Sequence, residues 1–402
     1  MQVALAIERM ESWRGGAETS TLQLASALRD AGAVVHLITA SRGQPIPGTE
    51  LHMLPGGPFG KTWSTRQFVR RAARLAGELG VDVLHAVSPL PGANLYQPRG
   101  GTVPETVERN LALVPAGRRG LKRVLNVFNG RQQLLARLER RMLRAGRGGR
   151  PVVAALSGYV ASQLERHYGL SGSEVELIFN GVDLESLDVA DGAGARRQIR
   201  EEYSLGDASL VLLMIAHNFR LKGVATAVRA LGQLRSHAVL SGAHLLVVGR
   251  DNPVPVLALA ESLGVAERVH VLGSSQRVPV LLRAADVLVH PTFYDPCSRV
   301  VLEAAACGVV SITTRFNGAA DVLEHGRSGW IIPDGDSVAE LAEGLSVLSD
   351  AERRREAGRA CLELRERVSM RRHVEGLLGL YARIAREGPA LSQTLGAAGI
   401  RV

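Results

Sequence analysis

Cysteine occurs only three times in 402 residues, at Cys297, Cys307 and Cys361, an odd number without the close pairing of a zinc-binding motif. This argues against both a disulfide framework and a zinc site, and a reducing compartment is expected. Aromatic residues make up 4% of the chain, too few to supply the stacking platforms of a single-strand nucleic-acid binder, and no nucleic-acid motif is found. No apolar run reaches the roughly 18–20 residues of a membrane span, and Met1-Gln-Val-Ala opens as a strand rather than as a signal peptide. The chain is expected to be cytoplasmic. No D-x-D cluster suggests a metal ligand set, so none is expected.

What is present is ample apolar content, 46%, enough for two or three domains at about 150 residues each. The net charge of +9 is unevenly placed: residues 1–150 hold 22 Lys and Arg against 10 Asp and Glu. A basic field of this kind suits an anionic membrane surface or a phosphorylated acceptor, with a merely solvated Arg-rich surface as the plain alternative.

Apolar runs alternate with helical patterns along the chain, as in βαβ units. Val3–Ile7, Val34–Thr39, Val81–Val87 and Val152–Ser157 read as strands of one series. Leu210–Ala216, His244–Gly249, Val269–Gly273, Asp286–His290 and Val309–Thr314 read as strands of a second. Between the series, Glu174–Phe179 leads into the turn Asn180-Gly181-Val182-Asp183. Residues 97–150, rich in Arg and Gly with weak periodicity up to about Val124, read as a loop-rich acceptor region followed by the helix Arg131–Arg144, and Arg371–Arg386 as a final amphipathic helix. The tail 389–402 shows no periodicity and is expected to be disordered.

Chemistry concentrates in HPTFYDPCSRVVLEAAACG, His290 to Gly308. A buried strand ends at His290, Asp295-Pro296 reads as a helix start, and apolar residues recur at helical spacing from Ser298 to Cys307. Asp295 and Glu303 bracket the first turns. Eight residues at about 1.5 Å each separate the two backbones by roughly 12 Å, whereas glycosidase acid and base pairs stand about 5–9.5 Å apart. An elongated ligand gripped at both ends, with phosphates over the helix N-terminus, suits the spacing better. The plain alternative makes Asp295 a cap and Glu303 a solvated helix residue. After Leu210–Ala216, Arg220 and Lys222 stand on a loop well placed to hold a diphosphate. His85, near the carboxyl end of the strand Val81–Val87, and Asn94, beyond it, stand where an acceptor could bind, although an isolated histidine there also serves as a structural group.

The segment His290 to Gly308 resembles the E-x7-E stretch of family 4 retaining glycosyltransferases of the GT-B fold. It matches that pattern at His290, Pro291, Thr292, Leu302, Glu303, Ala304, Ala306, Cys307 and Gly308, with Asp295 in place of the usual Glu and Ser298 in place of a common Gly. The variant Y-D-P followed by L-E-A is similar to the lipopolysaccharide-core glucosyltransferase branch. Arg220-Leu-Lys222-Gly223 resembles the family's R-x-K-G diphosphate clamp, and Gly15-Gly16-Ala17-Glu18 its G-G-x-E loop.

The resemblance implies two Rossmann-like α/β domains facing an interdomain cleft. Residues 1–180 form the acceptor side, 181–370 the nucleotide-sugar side, and the helix 371–388 packs back on the first. It implies retaining, metal-independent hexosyl transfer from a nucleotide-sugar co-substrate, UDP-linked by expectation, to a sugar or glycolipid acceptor, with no cofactor. Arg220 and Lys222 would stabilise the departing diphosphate, Asp295 hold sugar hydroxyls and Glu303 the ribose. Backbone amides of Cys297, Ser298 and Arg299 would meet sugar or phosphate. Arg250 and the segment Ser275–Val278 would contact the base and Gly15 and Gly16 the diphosphate, while Glu18 joins His85 and Asn94, placed by their strand-end position, on the acceptor side. Two rivals share fold and ligand: a sugar-nucleotide epimerase, and a non-catalytic nucleotide-sugar-binding protein should Asp for Glu be disabling.

Overall fold

The computed structural model describes residues 1–10, 16–41, 45–54, 60–144, 149–206 and 208–400, and they form two units, Met1–Asn180 with Met370–Val402, and Gly181–Ser369.

In the first unit seven strands form one parallel sheet: β1 (Gln2–Ala6), β2 (Val34–Thr39), β3 (Glu50–Met53), β4 (Val83–Ala86), β5 (Leu95–Tyr96), β6 (Val152–Ala155) and β7 (Val175–Leu177). Their order is β3-β2-β1-β4-β5-β6-β7. Because side chains alternate along a strand, Val3 and Leu5 enter one apolar cluster and Ala4 and Ala6 another, so β1 is buried on both faces. The helix Met370–Glu387 belongs to this unit: Val374, Leu377, Tyr381 and Ile384 join the cluster containing Leu5, Leu24 and Leu28.

The second unit repeats the plan with six parallel strands, β8 (Val211–Ile215), β9 (His244–Val248), β10 (Val269–Gly273), β11 (Val287–His290), β12 (Val310–Thr314) and β13 (Gly329–Ile332), in the order β10-β9-β8-β11-β12-β13. Every residue of β8 and β11 is buried. In both sheets the strand order reverses beside the first strand, at β1/β4 and at β8/β11. In open α/β sheets such a switch point leaves a crevice at the carboxyl ends of the strands, where ligands bind.

Three expectations are corrected. Residues 97–124 are largely helical, with helices Val103–Ala112 and Arg119–Val127; Pro104 in the first turn of the former and the spacing of Leu121, Val124 and Leu125 in the latter are the signals. The tail forms the helix Leu391–Ala397, whose Leu395 is buried and whose Thr394 hydroxyl donates to the Gly92 carbonyl at 2.8 Å. The helix after His290 starts at Arg299, not at Pro296. Among the described residues, no helix is long and apolar enough to cross a membrane.

Candidate functional site

The turn that follows β8 is shaped by its own polar groups. The Asp251 carboxylate accepts the Phe219 N–H at 2.8 Å, and the Asn218 side chain accepts the Leu221 N–H at 3.0 Å. Gly223 closes the turn at φ +71°, and a Cβ there would lie 2.1 Å from the Pro291 carbonyl oxygen. Only glycine permits this approach. The turn after β11 is thereby joined to the turn after β8, with the Phe293 N–H donating to the Leu221 carbonyl at 2.9 Å and the Thr292 hydroxyl to the same oxygen at 3.2 Å.

Across this junction the Lys222 ammonium donates to Asp295 Oδ2 at 2.5 Å. The other carboxylate oxygen of Asp295 accepts the Cys297 N–H at 3.2 Å. The Asp295 backbone is fixed as well, its N–H donating to the Phe316 carbonyl and its carbonyl accepting the Gly318 N–H, each at 2.9 Å. Burial by itself would raise the Asp295 pKa, but the Lys222 ammonium and the nearby His290 outweigh it and hold the carboxylate well below its ordinary range. His290 lies 3.8 Å from the same oxygen and is kept neutral chiefly by burial.

Arg220 is exposed on the same turn. Arg250 is exposed just beyond β9, next to Gly249, where a Cβ would lie 1.6 Å from the Ala216 carbonyl oxygen. His217 is discharged first by burial, then by the positive charge of Arg250 and of Lys222. Cationic side chains from the turns after β8 and β9 thus share one neighbourhood, suited to a polyanion.

Around the helix Arg299–Ala306 the arrangement departs from expectation. The Ser298 N–H is taken by the Asn317 side chain at 3.0 Å, and the Cys297 N–H by Asp295. Neither is left to meet a sugar or phosphate in this arrangement, because the turn is pinned to the strand-like segment at Asn317. Asn317 is a residue whose N-G turn was legible in sequence but whose side-chain role was not: it also accepts the Ala319 N–H at 3.0 Å and donates to the Thr313 hydroxyl at 2.9 Å. Glu303 is buried rather than solvated and accepts from Arg299 at 2.8 Å. Ser275 accepts the Arg277 N–H at 3.0 Å, and the Arg277 side chain pairs with Glu202.

In the first unit Gly15 lies outside the described residues, while Gly16 and Glu18 open the helix Gly16–Asp30. His85 is corrected: it is fully buried, with Nδ1 2.7 Å from the Tyr381 hydroxyl, and burial followed by the charge of Arg99 drives its pKa well down. Asn94 is corrected too, since it accepts the Leu84 N–H at 2.8 Å and donates to the Asp82 carbonyl at 3.0 Å, tying β4 to β5. Neither side chain is free for an acceptor. Sequence reasoning missed the buried Arg99, which donates to the Ser20 hydroxyl and to His373 Nε2. His373 Nδ1 donates in turn to the Phe179 carbonyl at 2.7 Å, and burial with Arg99 lowers its pKa to about 3.

Residues 14–186 match the sequence model described as Glycosyltransferase Family 4, and residues 195–361 the one described as Glycosyl transferases group 1. A D-inositol 3-phosphate glycosyltransferase of Pseudarthrobacter chlorophenolicus is 28% identical over 364 residues, 84% of this chain and 82% of that one. The crystal structure of WaaG, a glycosyltransferase involved in lipopolysaccharide biosynthesis, superposes with a TM-score of 0.79 at 22% identity, over 96% of this chain and all of that one. HepE from Anabaena, solved in complex with UDP and glucose, superposes with a TM-score of 0.71 at 18% identity, covering 95% and 99%. Two parallel-sheet α/β units with these likenesses define the GT-B fold. The chain belongs to the family 4, group 1 glycosyltransferases and is an enzyme of that kind.

Proposed function

We propose that the protein moves a hexose, with retention of configuration and without a metal ion, from a UDP-sugar to a sugar or glycolipid acceptor of the cell envelope. The observation that carries this reading is the Lys222–Asp295 pair, set at the carboxyl ends of β8 and β11 where the strand order switches. Arg220 and Lys222 hold the diphosphate and stabilise the charge that develops on it as the glycosidic bond breaks, the task a cation performs elsewhere. Asp295, already fixed as an anion, accepts a sugar hydroxyl; Glu303 accepts from the ribose and Arg250 lies toward the base. No carboxylate is assigned as nucleophile, so the acceptor attacks on the face the diphosphate leaves.

The UDP and glucose bound by HepE and the lipopolysaccharide role of WaaG support the donor and the acceptor class. Peripheral attachment to the cytoplasmic face of the membrane is supported by the helix Arg119–Val127. Leu121, Val124, Leu125, Val127 and Phe128 are exposed there, among Arg118, Arg119, Lys122 and Arg123. Turnover of a panel of UDP- and GDP-sugars, with the product anomer read by NMR, tests the reading: a retained α-anomer from a UDP-hexose is expected, and an inverted product or an epimerised donor without transfer contradicts it.

A further inference from the structure

Far along the edge of the first sheet, β3 brings a second chemistry into view. In the parallel register His36 of β2 lies opposite Glu50 of β3, and Ile38 opposite His52. Glu50 and His52 are two apart on one strand, so their side chains emerge on the same face. There they converge on the buried His36. His36 Nδ1 is 3.1 Å from His52 Nε2 and 3.1 Å from Glu50 Oε2, and His52 Nε2 is 3.8 Å from the same oxygen.

Three atoms at those separations share an equidistant point about 2 Å from each, which is the coordination distance of Zn²⁺ to imidazole nitrogen and carboxylate oxygen, about 2.0–2.2 Å. A proton lies between two atoms and satisfies one contact; a cation at that point satisfies all three. The ligand set of two His and one Glu is one that zinc takes, and the exposure of Glu50 leaves room for water in a fourth position.

The other groupings among the described residues lack this. Glu105, Glu108 and His167 are also close together, but the Arg166 guanidinium already bridges both glutamates. His244 and His270 stack 3.1 Å apart, nitrogen to nitrogen, with no carboxylate joining them among the described residues.

We infer that His36, Glu50 and His52 form a zinc-binding site that cross-links the edge strand β3 to β2. The site belongs to the first unit and does not rest on the function proposed above. Its role is to anchor an edge strand of only four residues, which few backbone hydrogen bonds hold in place.

The test uses the full chain stripped with chelator, then dialysed against ZnCl₂ above the ordinary histidine pKa of about 6.5, where imidazole is free to ligate. Glu50→Gln and His52→Ala are the variants, chosen because both side chains reach solvent and neither is required by the core. The wild type is expected to retain one Zn²⁺ per chain and to melt at a higher temperature with the metal than without. Each variant is expected to bind at least about tenfold more weakly and to show no metal-dependent rise. A wild type that binds no Zn²⁺, or variants that bind it as tightly as the wild type, would overturn the inference.

Discussion

Lys222 and Asp295, 73 positions apart in sequence, are joined by a contact of 2.5 Å between Nζ and Oδ2. Both side chains are mostly buried, so each charge depends on the other, and a ligand carrying its own negative charge must compete with Asp295 for the ammonium. On the function proposed above, the pair is a switchable contact as well as a structural one, with a diphosphate taking over Lys222 while Asp295 turns to a hydroxyl.

The pair and the buried histidines set the acid limb of stability. His373 has a folded pKa of about 3 against an ordinary 6.5, so the unfolded chain takes up a proton that the folded chain refuses. Its contribution is fully present above 6.5 and is lost as pH falls from there toward 3. Asp295, depressed below its ordinary 3.8, contributes fully above that value and loses its contribution below it. Urea midpoints measured from pH 8 to pH 4 are expected to be level at first and to decline below about pH 6.5. In His373→Gln, whose amide oxygen can still accept from Arg99, that decline should be shallower.

Gly223→Ala and Gly264→Ala separate close approach from backbone strain. Both glycines have positive φ, +71° and +67°, but a Cβ at Gly264 meets nothing within 4 Å, whereas at Gly223 it meets the Pro291 carbonyl. Gly264→Ala is expected to cost about 1–2 kcal/mol in chemical denaturation, and Gly223→Ala clearly more, together with most of the donor turnover. Equal costs would mean that the junction of the two turns is loose.

How legible this was depends on distance in sequence. Arg220, Lys222 and Asp295 stand out because each follows the apolar run of a strand, Glu303 because it interrupts the apolar run of a helix, and the strand series themselves follow from burial on both faces of a parallel sheet. The pairing of Lys222 with Asp295 was not legible, since no local pattern records a contact across 73 residues. His85 misled for the same reason: its position near the carboxyl end of β4 looks available, and only Tyr381, 296 positions away on the helix Met370–Glu387, closes it. The helix Leu391–Ala397 is seven residues long, too short for its period to emerge, yet Leu395 anchors it.

The exposed apolar face of the helix Arg119–Val127 predicts binding to vesicles containing anionic lipid. Leu125→Ser with Phe128→Ser is expected to weaken sedimentation with such vesicles severalfold while leaving transfer to a soluble acceptor unchanged. Binding that ignores both substitutions and the lipid charge would refute the attachment.

Chelation separates the two cation questions. If Arg220 and Lys222 supply the positive charge at the diphosphate, turnover is expected to persist in EDTA. Complete loss, restored by Mg²⁺, would contradict the metal-independent reading.

The central claim is that Lys222 and Asp295 act on the donor, and steady-state kinetics of Lys222→Ala and Asp295→Asn with a UDP-sugar test it most directly, with circular dichroism confirming that each variant is folded. Because stabilisation of a departing diphosphate acts in the transition state, kcat of Lys222→Ala should fall about 10²–10³-fold with a much smaller change in KM. Asp295→Asn should lose at least about tenfold in kcat/KM, since an amide retains the Cys297 contact but offers its oxygen to only one partner. Wild-type kcat in both variants would contradict the account and leave the pair a purely structural tie between the turns after β8 and β11.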